Sequence, residues 1–133
     1  MNVDIFTLCD SAQDYNGKMI IVGTFNSFQL SSFPSPYPDI SIAVRLRFDK
    51  DEIGKHTIEI SIIKSDDNKY LVNPVHAQFD IKEANDDNLN YYTNFILKLN
   101  NILIPSAGKY TVILKVDGNE KQTFLNVSKI QKV

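Results

Sequence analysis

Tryptophan is absent from the 133-residue sequence, and cysteine occurs once, as Cys9. A single thiol cannot form an internal disulfide. A chain of this length buries roughly two-thirds of its unfolded surface, so we expect a hydrophobic core alone to hold the fold. Cys9 ends an apolar run that begins at Ile5, which predicts a buried side chain. We do not expect a nucleophile there, because no histidine is near in sequence and a strand interior stabilises no thiolate.

Long hydrophobic runs, a strong charge of one sign and a basic N-terminus are also missing. The formal net charge is −2, which gives no electrostatic attraction toward nucleic acid or an anionic membrane. No apolar stretch approaches the length of a membrane span. Residues Met1–Ile5 lack the basic and apolar regions of a signal peptide. These absences predict a cytoplasmic protein that binds neither nucleic acid nor membrane.

Helical periodicity is missing as well, because apolar residues recur at every second position in short runs. The pattern predicts one all-β domain over residues 1–133. We expect an immunoglobulin-like two-sheet antiparallel β-sandwich of about eight strands with Greek-key connections. A flattened barrel or jelly roll is the alternative. The predicted strands are 3–9, Lys18–Gln29, Ile40–Phe48, Lys55–Lys64, Val75–Ile81, Tyr91–Asn101 and the two arms of a hairpin within Pro105–Ser128.

Two segments between these strands are predicted to be loops, 10–17 and Leu30–Asp39. The second contains three prolines, which remove backbone donors and disfavour a central strand. The run Met19–Val22 has two interpretations: it is buried on both faces, or it belongs to a strand that passes from one sheet to the other. Gly23 suggests a bulge or a close backbone approach.

The last hairpin has the clearest local signals. Its turn is predicted at Asp117-Gly118, because Gly118 accepts the positive φ of a tight hairpin turn. Tyr110 follows Gly108 by two residues at the start of a strand, an arrangement similar to the tyrosine corner of immunoglobulin-like folds. We therefore assign structural roles to Gly108, Tyr110 and Gly118, with an ordinary core tyrosine as the alternative at position 110.

The alternation of Ile40–Phe48 and Lys55–Lys64 suggests that these two segments pair as an antiparallel hairpin. Matching their apolar faces places Phe48 opposite His56 and Arg45 opposite Glu59.

Nearly the whole sequence resembles a bacterial family of short, uncharacterised β-sandwich proteins, a domain of unknown function. The resemblance implies a fold and no activity, so it transfers no functional residue. The residues that carry it are Phe6-x-Leu8-Cys9-Asp10-x-Ala12, Gly17-Lys18, Gly23-Thr24-Phe25, Phe33-Pro34, Arg45-x-Arg47, Gly54-x-His56, Pro105-x-x-Gly108-x-Tyr110 and Asp117-Gly118.

Sequence motifs of catalysis are absent, including nucleophile elbows, phosphate-binding loops and paired zinc-binding histidines. We therefore predict no catalytic residue, no cofactor and no metal site. His56 falls at an inward strand position, where a hydrogen-bonded structural role is expected. The oxygen-rich segments Asp66–Asn68 and Asn85–Asn88 leave a calcium-dependent module as a third hypothesis.

Aromatic side chains in or beside loops are the candidates for binding. They are Phe33, Tyr37, Tyr91 and Tyr92. The alternative is that these rings cap the open ends of the sandwich. The sequence thus predicts a non-enzymatic protein-interaction or structural module with an unidentified protein partner, and a small-ligand or carbohydrate-binding module is the alternative.

Overall fold

The computed structural model describes residues 1–83 and 90–131, which form nine strands and one short 3-10 helix, η1. The predicted all-β, two-sheet sandwich is confirmed, but nine strands replace the expected eight. Within the described residues, no helix is long and apolar enough to cross a membrane. The elements are β1 (Asn2–Tyr15), β2 (Lys18–Phe25), β3 (Ser27–Leu30), β4 (Ser35–Asp49), η1 (Lys50–Glu52), β5 (Gly54–Lys64), β6 (Tyr70–Ile81), β7 (Asn90–Ile104), β8 (Gly108–Val116) and β9 (Asn119–Lys129).

The strands divide into sheets of four and five. The four-stranded sheet has the order β2-β1-β4-β7, and the five-stranded sheet has the order β3-β9-β8-β5-β6. Neighbouring strands are antiparallel except β3 and β9, which are parallel, so the expectation of a wholly antiparallel sandwich was wrong for that pair. The core lies between the sheets. It is built from the alternating residues predicted to face inward, including Ile40, Ile42, Val44, Leu46 and Phe48 of β4 and Tyr110, Val112, Leu114 and Val116 of β8.

The N-terminal hairpin folds over the outer face of the four-stranded sheet. β1 continues to Tyr15, so the predicted loop 10–17 was wrong except for the tight turn at Asn16-Gly17. β1 pairs with β4 only as far as Cys9, and beyond it pairs with β2 alone. Asp14 of β1 nevertheless hydrogen-bonds Asn94 of β7, although β4 separates those strands in the sheet. Residues 11–22, which we call the overlying hairpin, therefore lie across β4.

The pleat of the strands reverses where this hairpin turns away. Cys9 and Ala12 lie in one buried cluster although they are three residues apart, so alternation breaks between them. The break is at Asp10, opposite Gly23, whose φ is +67°. A Cβ added to Gly23 would lie 2.9 Å from Cγ of Asp10 and closer still to its carboxylate. Gly23 therefore provides the close backbone approach that the sequence suggested.

Prolines are tolerated inside β4 because β1 does not pair with the first residues of that strand. The second half of the predicted loop Leu30–Asp39 is in fact the start of this strand, which begins at Ser35. Over residues 35–39 β4 pairs with β7 but with nothing on its other side, because β1 leaves after pairing Cys9 with Ser41. Proline is acceptable at such a locally one-sided edge.

The predicted strand Lys18–Gln29 is two strands in two sheets. β2 belongs to the four-stranded sheet and β3 to the five-stranded sheet, and the chain crosses between them at Asn26. Passage between sheets, one of the two interpretations, is confirmed. Burial on both faces is not, because Ile20 and Val22 are exposed.

The predicted pairing of β4 with β5 was wrong, because the two strands lie in different sheets. The connection through η1 crosses the end of the sandwich instead of turning back within one sheet. Phe48 and His56 do meet, with ring centroids 4.5 Å apart, but they meet across the core. Arg45 and Glu59 consequently lie in opposite sheets, where Glu59 contacts His76 and Lys115 of its own sheet.

The closing hairpin is confirmed, and Tyr110 makes a backbone hydrogen bond of the kind found in a tyrosine corner. Asp117 and Gly118 have φ of +51° and +82° and connect β8 to β9, as the turn signal predicted. Gly108 also has positive φ, and the fully buried Tyr110 donates its hydroxyl to the carbonyl oxygen of Ser106 at 2.7 Å.

Replacing Tyr110 by phenylalanine should lower the free energy of unfolding by about 1 kcal/mol, the net contribution of one hydrogen bond, because the ring and its packing are kept. Denaturant melts of the two proteins measure this difference. A Phe variant as stable as the parent would show that the Ser106 bond adds nothing to stability.

Candidate interaction surface

The outer face of the overlying hairpin exposes large apolar side chains to solvent. The opposed pairs Ser11–Val22, Gln13–Ile20 and Tyr15–Lys18 share this face, because alternate residues of paired strands point the same way. Tyr15, Ile20 and Val22 are 64%, 47% and 55% exposed. One small, two-stranded surface thus presents three large apolar side chains to solvent.

The inner face of the overlying hairpin holds it against the sheet. Ala12, Met19 and Ile21 pack with Cys9, Ala43 and Ile96 in a second buried cluster, separate from the main core. Ala43 lies on the outer face of the four-stranded sheet and is nevertheless fully buried, because the hairpin covers it. Cys9 is fully buried, as the sequence predicted, and this burial, then the charge of Asp10, raises the pKa of its thiol.

A polar clamp fixes the tip of the overlying hairpin. Nη1 of Arg45 donates to the carbonyl oxygen of Gly17 at 2.9 Å and to Oδ1 of Asn94 at 3.0 Å. Nδ2 of Asn94 donates to Oδ2 of Asp14 at 3.0 Å, and the amide of Gly17 donates to the other carboxylate oxygen. The bond from Asn94, then that from Gly17, keeps the pKa of Asp14 below its usual value. Arg45 also stacks on the ring of Tyr92 at 4.4 Å. The outer face is therefore presented on an ordered support.

Replacing Arg45 by methionine, which keeps much of the apolar stem, should loosen this tip and leave the main core intact. Amide hydrogen exchange should become at least several-fold faster over residues 11–22, while β8 and β9 stay protected, because the clamp holds only the hairpin. Unchanged exchange in 11–22 would mean that the apolar inner face alone holds the hairpin in place.

The four aromatic residues predicted to bind a partner do not form one surface. Phe33, Tyr37 and Tyr91 are partly buried against the main core, and only Tyr92 is half exposed. Tyr37 stacks on Phe28 with centroids 4.1 Å apart. Burial, then the charge of Asp10, raises the pKa of Tyr37. Three of these rings therefore cover the sandwich core, and whether any of the four binds a partner stays a prediction.

Sequence reasoning missed Ile20 and Val22 of the exposed hairpin face. The available signal was the run of four apolar residues, Met19–Val22, directly after the Asn16-Gly17 turn. A hairpin tip has too few neighbours to bury both faces, so such a run places apolar side chains in water.

His56 lies beside a carboxylate, as in a catalytic dyad, but both of its ring nitrogens already have hydrogen-bond partners. Nδ1 of His56 lies 2.6 Å from Oδ2 of Asp117, and Nε2 lies 2.6 Å from the carbonyl oxygen of Glu52. Both partners accept, so His56 can satisfy both only as an imidazolium, which donates from both nitrogens. Burial alone would lower the pKa of His56, but these bonds and the neighbouring carboxylates raise it above its usual value. Neither ring nitrogen is free to act as a base.

Carboxylates converge at η1, away from both segments considered for calcium. Asp49, Asp51 and Glu52 bring oxygens within 4.8 Å of one another, but Glu52 already pairs with the Met1 amino group. Asp66 pairs with Lys64 in its own turn, and the segment 85–88 lies outside the described residues. The cluster at η1 is exposed and by itself indicates no ligand.

Comparison with solved structures shows the fold alone. The crystal structures of a β-glucosidase from Listeria innocua, free and in complex with isofagomine, each superpose with a TM-score of 0.53 at 9% identity. Each match covers 93% of this chain but 16% of the enzyme chain, so the present chain spans about a sixth of that protein's length. No curated protein matches the sequence. Residues 4–127 match a family of unknown function, and the chain thus belongs to the family DUF6941.

Proposed function

We propose that this protein is a non-enzymatic interaction module that binds a protein partner through the outer face of the overlying hairpin. The observation that carries the proposal is the exposed apolar group of Tyr15, Ile20 and Val22 on a hairpin clamped to the sheet. Contiguous exposed apolar surface marks interaction sites on soluble proteins. A clamped support also lowers the entropy lost on binding.

The surroundings of His56 and Cys9, both within the described residues, support the non-enzymatic part of the proposal. Both nitrogens of His56 are occupied, and the Cys9 thiol is buried and protonated. Neither group is therefore poised for acid–base or nucleophilic chemistry.

The finer description of the fold, immunoglobulin-like with Greek-key connections, belongs to the same proposal. The Tyr110–Ser106 hydrogen bond supports it, because that bond has the form of a tyrosine corner. The chain also crosses between the sheets five times, after β2, β3, β4, β6 and β7, which agrees with a Greek-key sandwich.

Two lysines placed on the proposed surface should abolish partner binding without unfolding the domain. Immobilised parent and Ile20→Lys/Val22→Lys protein are used to capture partners from the native cell, with quantitative mass spectrometry as the readout. We expect the specific partner signal to fall at least tenfold. Ile130→Lys is the control, because Ile130 is 47% exposed, as Ile20 is, but lies beyond β9. Circular dichroism checks the fold. Equal capture by parent and double variant would refute the surface.

A carbohydrate-binding module is the second candidate, favoured by the half-exposed ring of Tyr92 beside Arg45. Tyr92→Ala should then remove binding on a glycan array while the double lysine variant keeps it. The reverse result supports the protein-binding proposal.

A further inference from the structure

β2 is an unprotected sheet edge. Among the described residues it pairs with β1 on one side only. Monomeric proteins blunt such edges with charges, prolines, bulges or short strands. β2 has no proline, and its single charged residue, Lys18, stands at its first position. Its positive-φ residue, Gly23, lies near the other end, which leaves Lys18–Val22 regular and free to pair.

The other edges of the two sheets carry the protective features that β2 lacks. β3 is four residues long, and the one-sided start of β4 contains Pro36 and Pro38. The end of β1, which pairs with β2 alone beyond Cys9, carries the charge of Asp14. β6 contains Pro74 and two register irregularities. β7 has Lys98 and a positive-φ residue, Asn101. β2 is therefore the edge most open to another strand in the part of the chain that the structure describes.

The sequence of β2 is complementary to itself in the antiparallel direction. A two-fold axis at Ile21 would oppose Ile20 to Val22 of a second copy within the regular segment Lys18–Val22. The sum of opposed numbers is even, so the outer faces of both copies remain on one side. Ile20 and Val22 of both copies then form one apolar cluster, and no like charges face each other. Closed two-fold dimers are also the commonest oligomers of soluble proteins.

We propose that the partner of this surface is a second copy of the same chain, which joins β2 to β2 antiparallel and merges the two four-stranded sheets into one. The inference rests on the proposed function and names its partner. One strand pair buries less than a standard interface of about 1,600 Å², so the dimer is expected to be reversible and to dissociate on dilution.

Sedimentation velocity over a wide concentration range tests the association. The parent should shift from monomer to dimer as its concentration rises. Val22→Lys should stay monomeric, or need at least tenfold more protein to dimerise, while Ile130→Lys should follow the parent. A parent that is monomeric throughout would overturn the inference. A Val22→Lys protein that dimerises like the parent would overturn it too.

Disulfide crosslinking tests the register. Mixing Ile20→Cys with Val22→Cys protein under mild oxidant should give the mixed dimer faster than either variant alone gives its own, because these positions are opposed. The native Cys9 is fully buried and does not compete. Crosslinking no faster in the mixture would overturn the register.

A monomeric parent whose partner capture is nevertheless lost in the double lysine variant would overturn self-pairing and leave the proposed function standing. A monomeric parent whose capture is also unchanged in that variant would refute both the self-pairing and the proposed function.

Discussion

Truncating Phe48 to alanine is expected to lower the free energy of unfolding by about 3–5 kcal/mol, the range for a fully buried phenylalanine. Phe48 is the last residue but one of β4 and is fully buried. Its ring contacts His56 with centroids 4.5 Å apart and Phe79 in an edge-to-face arrangement at 5.8 Å. Both partners belong to the other sheet, so the substitution removes a contact that joins the two layers.

The matched control is Phe48→Leu, which keeps most of the apolar volume and should lose far less stability. Urea denaturation of the three proteins, with the slope of the transition compared, measures the effect. If alanine and leucine were equally tolerated, the end of β4 would have room to collapse and would not join the sheets. A loss below about 1 kcal/mol for alanine would contradict the structure at this point.

The error in pairing β4 with β5 has a physical cause. Alternation determines which residues face the core, and the predicted inward residues of both strands do face it. It cannot determine whether consecutive strands pair side by side or face each other across the core, because both arrangements bury the same side chains. The connection decides, and here η1 and Gly54, with φ of +131°, carry the chain across. The alternation of apolar residues in these two strands is the same for either arrangement, so it cannot predict which one forms.

Reversals of the pleat account for most of the remaining differences. One reversal is at Asp10, opposite Gly23, where the hairpin leaves the sheet. Another is near Pro38 and Asn101, where the inward-facing residues of β7 change from odd-numbered to even-numbered positions. Gly23 was recognised as a bulge signal, but a bulge in sequence does not show that the hairpin beyond it folds over the sheet. That conclusion needs the contacts of Asp14 with Asn94, which are 80 positions apart.

The candidate surface was hidden for the same reason. Aromatic residues near loops were the visible signal, and the fold uses Phe33, Tyr37 and Tyr91 to cover its core. Ile20 and Val22 lie on the edge strand β2, and their exposure depends on how the hairpin folds over the sheet. By contrast, Tyr110 and the Asp117-Gly118 turn were predicted correctly, because their signals act within a few residues of sequence.

Replacing Asp117 by asparagine should destabilise the fold by about 2 kcal/mol near pH 6. Oδ2 of Asp117 accepts from the His56 imidazolium at 2.6 Å, and Oδ1 accepts from the amide of Thr57 at 2.9 Å. Asparagine keeps the turn and can keep the Thr57 bond, so the substitution removes mainly the charge. Hydrogen bonds to charged groups contribute about 1.5–3 kcal/mol. The estimate is taken low because the Asp117 side chain is 38% exposed and partly screened.

The pH dependence of stability gives the sharper test. The pKa of His56 is raised above 6.5 in the fold, so its contribution is complete below pH 6.5 and is lost as the pH rises through the folded value. Burial alone would raise the pKa of Asp117, but its bonds to His56 and Thr57 lower it below 3.8. Its contribution is therefore present above pH 3.8 and is lost as the pH falls through the folded value. The pair stabilises most between these limits, from about pH 4 to 6.5.

Denaturant melts from pH 5 to 8 should show the parent losing stability above pH 6.5. In the Asp117→Asn protein that loss should shrink, because the bond and charge of Asp117 no longer oppose the burial of His56, while those of Glu52 remain. The Met1 amino group and its partner Glu52 are present in both proteins, so the difference between the two curves isolates the His56–Asp117 pair. Parallel curves for parent and variant would show that His56 is not charged in the fold, and the two N–H donations assigned to it would then be wrong.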